Sequence, residues 1–291
     1  MHAIIRRLMS AFVAIVSCLA VWAADPTPLV NSHVDIRIID RPGESNRLGL
    51  VVLDSDSGKT YLPEEAILVA PTAARNEIPP GFEVFGEVGA PLWILPQSQD
   101  PALLYLGVSA EELPQGVFSS RFAIELVRVD GPGDFFLWQF DTFSNLVMGM
   151  NSRDGISTND LVRPLLGGHE HFNWGFNASG YYEVVMRVTN SRTNGTNVVV
   201  HTSGEIPLRF GVQPYTIPTP AIAATLSRPA WTEGTLTCEL TGTPNRAYPL
   251  ETSEDLIRWT PAGTATPDNA GRAVISLPAA APDLFLRART P

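Results

Sequence analysis

The stretch Tyr-Tyr-Glu-Val-Val-Met-Arg-Val-Thr at residues 181–189 decides the fold class of this chain. Its β-branched and aromatic residues are typical of a β-strand. The chain also has 25 Pro and 23 Gly, and only 17% of its residues are charged, which favours many short strands over long helices. We therefore predict an all-β fold, an immunoglobulin-like or jelly-roll-like β-sandwich. Further strand-like runs lie at 33–39, 47–53, 122–129, 135–140, 196–202 and 208–212.

Shorter segments between these runs predict a hairpin, a short helix and a further strand. The runs 47–53 and 59–62 flank an Asp/Ser/Gly segment at 54–58, which predicts a hairpin. The sequence Pro-Glu-Glu-Ala from residue 63 resembles a helix start, so we predict one short helix within 63–76. The segment 82–85 is predicted as a strand.

The N-terminal segment has the pattern of a secretory signal. Arg6 and Arg7 precede an apolar run at 8–21, and small residues follow near position 24. The run is short for a transmembrane helix, which needs about 20 apolar residues. We therefore expect removal of residues 1–24, no membrane insertion afterwards, and an extracellular, cell-surface or periplasmic location. A retained signal anchor is the alternative.

Charge and cysteine usage narrow the class of protein further. Loss of residues 1–24 removes two arginines and no acidic residue, so the formal net charge changes from -10 to -12. An acidic chain without a basic run argues against binding nucleic acid. Cys18 would leave with the signal, so Cys238 would stand alone as a small buried core residue. Export without disulfides fits a bacterial envelope or secreted protein.

Proline content marks a domain boundary. Three prolines lie within residues 213–220 and indicate a semi-rigid linker. The sequence therefore predicts a large domain over 25–212, a linker over 213–225 and a second, smaller β-sandwich over 226–291.

Histidine is scarce, and two of the five residues form a single His-x-His, His169 and His171. Residues two apart in a strand point to the same face, so both imidazoles would project side by side. His33 and Asp35 have the same spacing. If the fold brings the two pairs together, they offer three nitrogens and one carboxylate.

Imidazole with carboxylate suits a divalent metal, zinc foremost, with copper, iron or manganese as alternatives. We predict a metal site at His33, Asp35, His169 and His171. The alternative is a structural cluster in which these side chains only cap and hydrogen-bond strands. His201 is a candidate further member, whereas Glu170 should face away because it alternates with the two histidines.

The region 30–212 resembles the choice-of-anchor M family, a bacterial surface-anchored repeat domain known from actinobacterial cell walls. Members of that family are exported and attached to the cell surface, and some accompany metal-type ABC transporter substrate-binding proteins. The resemblance therefore implies a surface protein or transporter component as partner. The matching residues are His33-Val-Asp-Ile, the motif 93–99, Tyr105-Leu-Gly, Gly131-Pro-Gly-Asp-Phe and the motif 169–182.

The chain departs from that family at its C-terminal end, where no usual wall anchor is visible. Residues 248–259 and 285–289 instead resemble a small C-terminal β-sandwich of exported Verrucomicrobia-type proteins. This departure leaves the mode of surface attachment open.

The absence of common catalytic motifs bears on the class of function. Nucleophile-elbow, zinc-protease and phosphate-loop motifs are all absent from the sequence, so we expect no enzyme. The expected function is an exported, non-catalytic binding module for a metal or a small ligand. A purely structural or adhesive envelope protein is one alternative. A carbohydrate-binding module is another, with Trp93, Trp138 and Trp174 as a stacking platform if they are exposed.

Overall fold

The computed structural model describes residues 26–194, 196–217, 224–232, 234–278 and 285–289. The predicted signal segment 1–24 and much of the predicted linker, 218–223, lie outside the described residues. The chain divides into two compact units, one within Ala24–Pro218 and the other within Thr219–Pro291.

The larger unit contains seventeen strands among its described residues. They are Thr27–Leu29 (β1), His33–Asp40 (β2), Leu48–Asp54 (β3), Lys59–Tyr61 (β4), Ala66–Ala70 (β5), Arg75–Glu77 (β6), Pro91–Leu95 (β7), Tyr105–Ser109 (β8), Ala123–Asp130 (β9), Phe135–Phe140 (β10), Leu146–Asn151 (β11), Leu161–Val162 (β12), His169–His171 (β13), Asn173–Phe176 (β14), Gly180–Asn194 (β15), Asn197–Thr202 (β16) and Ile206–Val212 (β17).

These strands form three sheets. The first has the order β1-β5-β17-β15-β9-β12, with β16 also paired to β15, and the second has the order β11-β10-β14-β7-β6. The third, β13-β8-β2-β3-β4, pairs β2 with β8 in parallel and β8 with β13 antiparallel. Strands β13 and β14 are separated by a single residue, Phe172, so the chain passes directly from the third sheet to the second.

The stretch 181–189 lies within β15, as its pattern predicted. Tyr182, Val184, Met186 and Val188 are buried, in agreement with period-2 alternation. Val185 is also buried, at a register shift between Val185 and Met186 in the pairing with β9. This apolar face of β15 packs into the interior of the sandwich.

One hydrophobic core joins the three sheets. Phe210 of the first sheet contacts Phe176 and Trp174 of the second, with ring centroids 5.1 and 5.8 Å apart. The Trp174 indole N–H donates to the Leu106 carbonyl of the third sheet at 3.1 Å. The predicted all-β sandwich is thereby confirmed, and no α-helix occurs among the described residues.

The predictions for 63–76 and 82–85 were wrong. Two 3₁₀-helices, Pro63–Glu65 and Thr72–Ala74, flank strand β5 where one helix was expected. The run from Ile67 to Val69 is buried on both faces between β1 and β17, an environment that suits a parallel strand better than a helix.

Residues 82–85 form turns instead of a strand. The Phe85 N–H donates to the Phe82 carbonyl at 3.1 Å, which closes the backbone locally. The Phe85 ring is buried, with its centroid 4.5 Å from that of Trp138. Phe85 is therefore hydrophobic because its turn packs against the second sheet, and not because it lies in a strand.

The smaller unit contains six strands among its described residues, which form two three-stranded sheets, β18-β19-β22 and β21-β20-β23. Cys238 is buried with Leu240 and Tyr248 in its core, which confirms the packing role predicted for the thiol. The strands are Thr225–Thr232 (β18), Thr235–Thr241 (β19), Tyr248–Ser253 (β20), Thr260–Ala265 (β21), Arg272–Pro278 (β22) and Phe285–Ala288 (β23).

No helix in the described part of the chain is long and apolar enough to span a membrane.

The shared core makes a direct prediction for stability. Replacing the fully buried Phe210 by Ala should lower the free energy of unfolding by about 3–5 kcal/mol, because a cavity would open where the sheets meet. Phe143, which is 84% exposed, provides the matched control, and its replacement by Ala should change stability by less than about 0.5 kcal/mol. Urea unfolding followed by tryptophan fluorescence measures both, and equal losses would contradict the assigned core.

Candidate metal centre

Three neighbouring strands bring the two pairs of predicted ligands to one place. Asp35 on β2 and His171 on β13 are both in register with Gly107 of β8, which lies between them. His33 and His169 lie two residues from Asp35 and His171 along their strands. Because period-2 alternation keeps each pair on one face, all four side chains project from the same face of the sheet.

The four side chains converge closely. One ligand atom from each of His33, Asp35, His169 and His171 lies within 4.8 Å of the others. The His169 Nε2 atom is 2.7 Å from Asp35 Oδ1, and the His33 Nε2 atom is 3.5 Å from Asp35 Oδ2. The meeting of the two pairs depends on the pairing of β2 and β13 with β8, which the spacing within each pair does not specify.

Gly107 forms the floor of this cluster. A Cβ atom at this position would lie 2.5 Å from Asp35 Oδ1, 2.9 Å from His171 Cε1 and 3.1 Å from His169 Nε2. Real Cβ atoms do not approach other atoms so closely, so the side chains converge over a position that only glycine leaves free.

Asp35 is the buried centre of the cluster, with 2% of its surface exposed. Its Oδ2 atom accepts a hydrogen bond from the Ser55 hydroxyl at 2.9 Å. Its Oδ1 atom has no hydrogen-bond partner among the described residues, although His169 Nε2 is only 2.7 Å away. This separation brings the two atoms within reach of one shared proton or of one cation.

Two further nitrogens in the cluster share this property. His33 Nε2 and His171 Nδ1 are buried and have no hydrogen-bond partner in the described part of the protein. Buried polar atoms are nearly always paired, so three such atoms in one cluster are suited to bind a common partner that accepts their lone pairs. A divalent cation would satisfy them together.

Surrounding groups hold the ligands in position, and our sequence reasoning did not identify them. The Ser55 N–H donates to the His33 carbonyl at 2.8 Å, and the His33 N–H donates to Asp56 Oδ2 at 3.0 Å. Gln139 donates to the His171 carbonyl at 2.7 Å. Ser55 and Asp56 belong to the predicted 54–58 turn, whose proximity to His33 follows from the β2–β3 register.

The electrostatic setting favours neutral imidazole at His171. The pKa of His171 is lowered to about 4, chiefly by burial and also by the neighbouring His169 and His33, whereas Asp35 and a backbone hydrogen bond with Leu106 act in the opposite direction. The ring also stacks on Tyr105, with centroids 3.6 Å apart and planes 3° apart. At neutral pH this histidine therefore presents a lone pair, as metal ligation requires.

Other candidate residues lie elsewhere. His201 is on β16, in register with Asn190, and its ring contacts Phe118 at 5.4 Å, so it does not join the cluster. Glu170 is not among the four converging residues either. Trp93, Trp138 and Trp174 are 6%, 2% and 0% exposed, so they form no stacking platform for a sugar.

The four side chains form a donor set that could hold a metal ion. Three imidazoles and one carboxylate match the donors that zinc prefers and equal the number of ligands in a tetrahedral zinc site. Copper, iron and manganese also accept such donors. The side chains of His33 and His169 are 26% and 27% exposed, so solvent reaches one side of the cluster.

Comparisons with known proteins do not place the chain in a family. No family model and no curated protein matches it. The crystal structure of a tetra-tandem repeat in the extending region of a large adhesion protein is similar, with a TM-score of 0.20 and 12% sequence identity. The match covers 92% of this chain and 64% of that one, so the chain spans less than two thirds of its length. A likeness at this TM-score carries no argument about function.

Replacing Gly107 by Ala should disrupt the cluster while the sandwich still folds. The added methyl group would occupy the position on which Asp35, His169 and His171 converge, so zinc uptake should fall at least tenfold. Gly149→Ala is the matched control, because its Cβ would meet Val162 at 2.8 Å, outside the cluster. Isothermal titration with zinc measures uptake, and unchanged uptake in Gly107→Ala would contradict this geometry.

The pKa of His171 predicts a pH dependence for the metal-free protein. Its pKa in the folded state, about 4, lies below the ordinary value of 6.5. The stability associated with neutral His171 is therefore complete above pH 6.5 and is lost as the pH falls towards 4. Titration of the His171 ring by ¹⁵N NMR should give a midpoint near 4, and a midpoint near 6.5 would show that the ring is not buried as described.

Proposed function

We propose that this protein is an exported, non-catalytic binding module that holds one divalent metal ion, zinc foremost, through His33, Asp35, His169 and His171. The observation that carries the proposal is the convergence of these four donors above Gly107. The buried Asp35 carboxylate also supports it, because its Oδ1 atom accepts no hydrogen bond among the described residues and a cation would satisfy it.

The number of protein ligands supports binding over catalysis. Catalytic zinc sites typically use three protein ligands and keep a fourth position for water or substrate. Here four protein side chains can fill a tetrahedral shell. A metal held by four protein ligands would serve storage, transport or stabilisation of the fold.

The setting that we propose for this module is the bacterial cell surface or the extracellular space. The signal-like residues 1–24 and the motifs shared with the choice-of-anchor M family support that setting. The same resemblance supports a surface protein or a metal transporter component as partner. The proposed location and partner rest on the sequence, whereas the proposed metal site rests on the geometry.

A structural or adhesive envelope protein is the second candidate, and one observation favours it. Ser55, Asp56 and Gln139 bind to the cluster residues in a way that also ties neighbouring strands together. In that case the histidines would serve only to connect β2, β8 and β13. The two candidates differ in whether the purified protein contains a metal.

Metal content decides between these candidates. Elemental mass spectrometry of the purified protein should find about one divalent metal ion per chain. The double variant His169→Ala/His171→Ala should lose that ion, because it removes two of the four donors. His201→Ala is the matched control, since His201 lies outside the cluster, and it should retain the ion.

A wild-type protein that contains no metal, even after loading with zinc, copper, iron and manganese in turn, would overturn the proposed metal site. It would leave the structural role as the better account. Retention of the metal by the double variant would place the ion somewhere else in the protein. Far-UV circular dichroism of each variant establishes that loss of metal is not loss of fold.

A further inference from the structure

We infer that Glu111 is a positioning residue for the metal site, an outer carboxylate that orients His169 towards the ion. This inference rests on the proposed metal-binding function and goes one step beyond it. Glu111 lies outside the four converging residues, yet its Oε2 atom is 3.7 Å from His169 Nδ1. It therefore faces the ring nitrogen opposite to the one that approaches Asp35.

The two nitrogens of His169 face two different carboxylates. Nε2 lies 2.7 Å from Asp35 Oδ1 inside the cluster, and Nδ1 faces Glu111 on the outside. A metal-ligating histidine carries its proton on the other ring nitrogen and donates it to a carboxylate, carbonyl or water. Glu111 occupies the place of that acceptor, so it would keep the Nδ1–H tautomer and leave the Nε2 lone pair for the ion.

The local backbone fixes Glu111 beside His169. Ser109, the last residue of β8, is directly opposite His169 in the ladder. Two backbone hydrogen bonds then hold the next residue, from the Ala110 N–H to the Gly168 carbonyl at 2.9 Å and from the Gly167 N–H to the Ala110 carbonyl at 3.0 Å. Glu111 therefore follows a residue that is hydrogen-bonded to the segment immediately before β13.

Ser109 restrains the Glu111 side chain itself. Its hydroxyl donates to Glu111 Oε2 at 3.2 Å and also accepts from the Glu111 N–H at 3.4 Å. Ser109 is 2% exposed, so it is a fixed support, whereas the Glu111 side chain is 55% exposed. The 3.7 Å separation from His169 is longer than a hydrogen bond, so the inferred contact requires the exposed carboxylate to move towards the ring.

The exposure of Glu111 separates a positioning role from a stabilising one. An ion pair this exposed contributes little to folding. Its effect should therefore appear in metal affinity and in the state of the His169 ring, with the fold unchanged. Glu112, the next residue, provides a matched comparison, because it is 72% exposed and pairs with Arg37 at 2.7 Å, and no ion pair joins it to His169 among the described residues.

The test compares zinc binding by the full chain and three variants, using competition with a chromophoric chelator. Glu111→Ala should bind zinc about 10- to 100-fold more weakly. Glu111→Gln should recover most of the affinity, because its amide oxygen can still accept the Nδ1 proton. Glu112→Ala should bind zinc like the wild type.

A spectroscopic signature accompanies the affinity. In the zinc-loaded wild type, the His169 Nδ1–H should give a downfield proton signal that exchanges slowly with water. In Glu111→Ala this proton should exchange faster or vanish from the ¹H–¹⁵N spectrum. A Glu111→Ala variant that binds zinc as tightly as Glu112→Ala, or that keeps this signal unchanged, would overturn the inference.

The outcomes separate this inference from the proposed function. If the wild type binds no zinc, the metal site fails and the role of Glu111 fails with it. If the wild type binds zinc and Glu111→Ala binds it equally well, only the role of Glu111 is refuted.

Discussion

The pairing of β2 and β13 on either side of β8 is the constraint on which the site depends. Asp35 and His171 are both opposite Gly107, so a slip of one residue in either ladder would send one pair of ligands to the other face of the sheet. The same ladders carry Leu106 and Val108 into the core from the opposite face. Burial of the core and convergence of the ligands therefore require the same register.

A cation bound at the proposed site would offset the cost of burying the Asp35 carboxylate. Asp35 is almost fully buried and accepts a hydrogen bond at one of its two oxygens, from Ser55. Burying an incompletely paired carboxylate costs several kcal/mol. An ion on the other oxygen offsets that cost, and a ligand present at 100 times its Kd stabilises the folded state by about 2.7 kcal/mol.

Much of the fold could be predicted from the sequence, because strands with strong alternation such as 181–189 specify their own buried face. The wrong predictions concern segments in which the local sequence pattern favours one structure and tertiary packing favours another. The run 67–69 follows a helix-like start but is drawn into the first sheet by two parallel partners. Phe85 is hydrophobic enough for a strand, yet it is buried by a turn that folds onto Trp138.

The candidate site was predictable only in part, for a related reason. Same-face spacing follows from the period of a strand, so each pair could be recognised alone. The meeting of His33 with His169 depends on ladders between segments more than 130 positions apart, which no local pattern specifies. Gly107 was noted only as part of the Tyr105-Leu-Gly motif, and its role follows from its register with Asp35 and His171. Glu111 belongs to no motif, and only its proximity to His169 gives it a role.

X-ray absorption spectroscopy of the zinc-loaded protein tests the central claim most directly, because it reports the atoms that surround the ion. Our account predicts a first shell of about four nitrogen and oxygen atoms at about 2.0–2.2 Å, with the outer-shell scattering of three imidazole rings. A first shell of oxygen alone, or imidazole scattering from fewer than two rings, would contradict binding by His33, Asp35, His169 and His171.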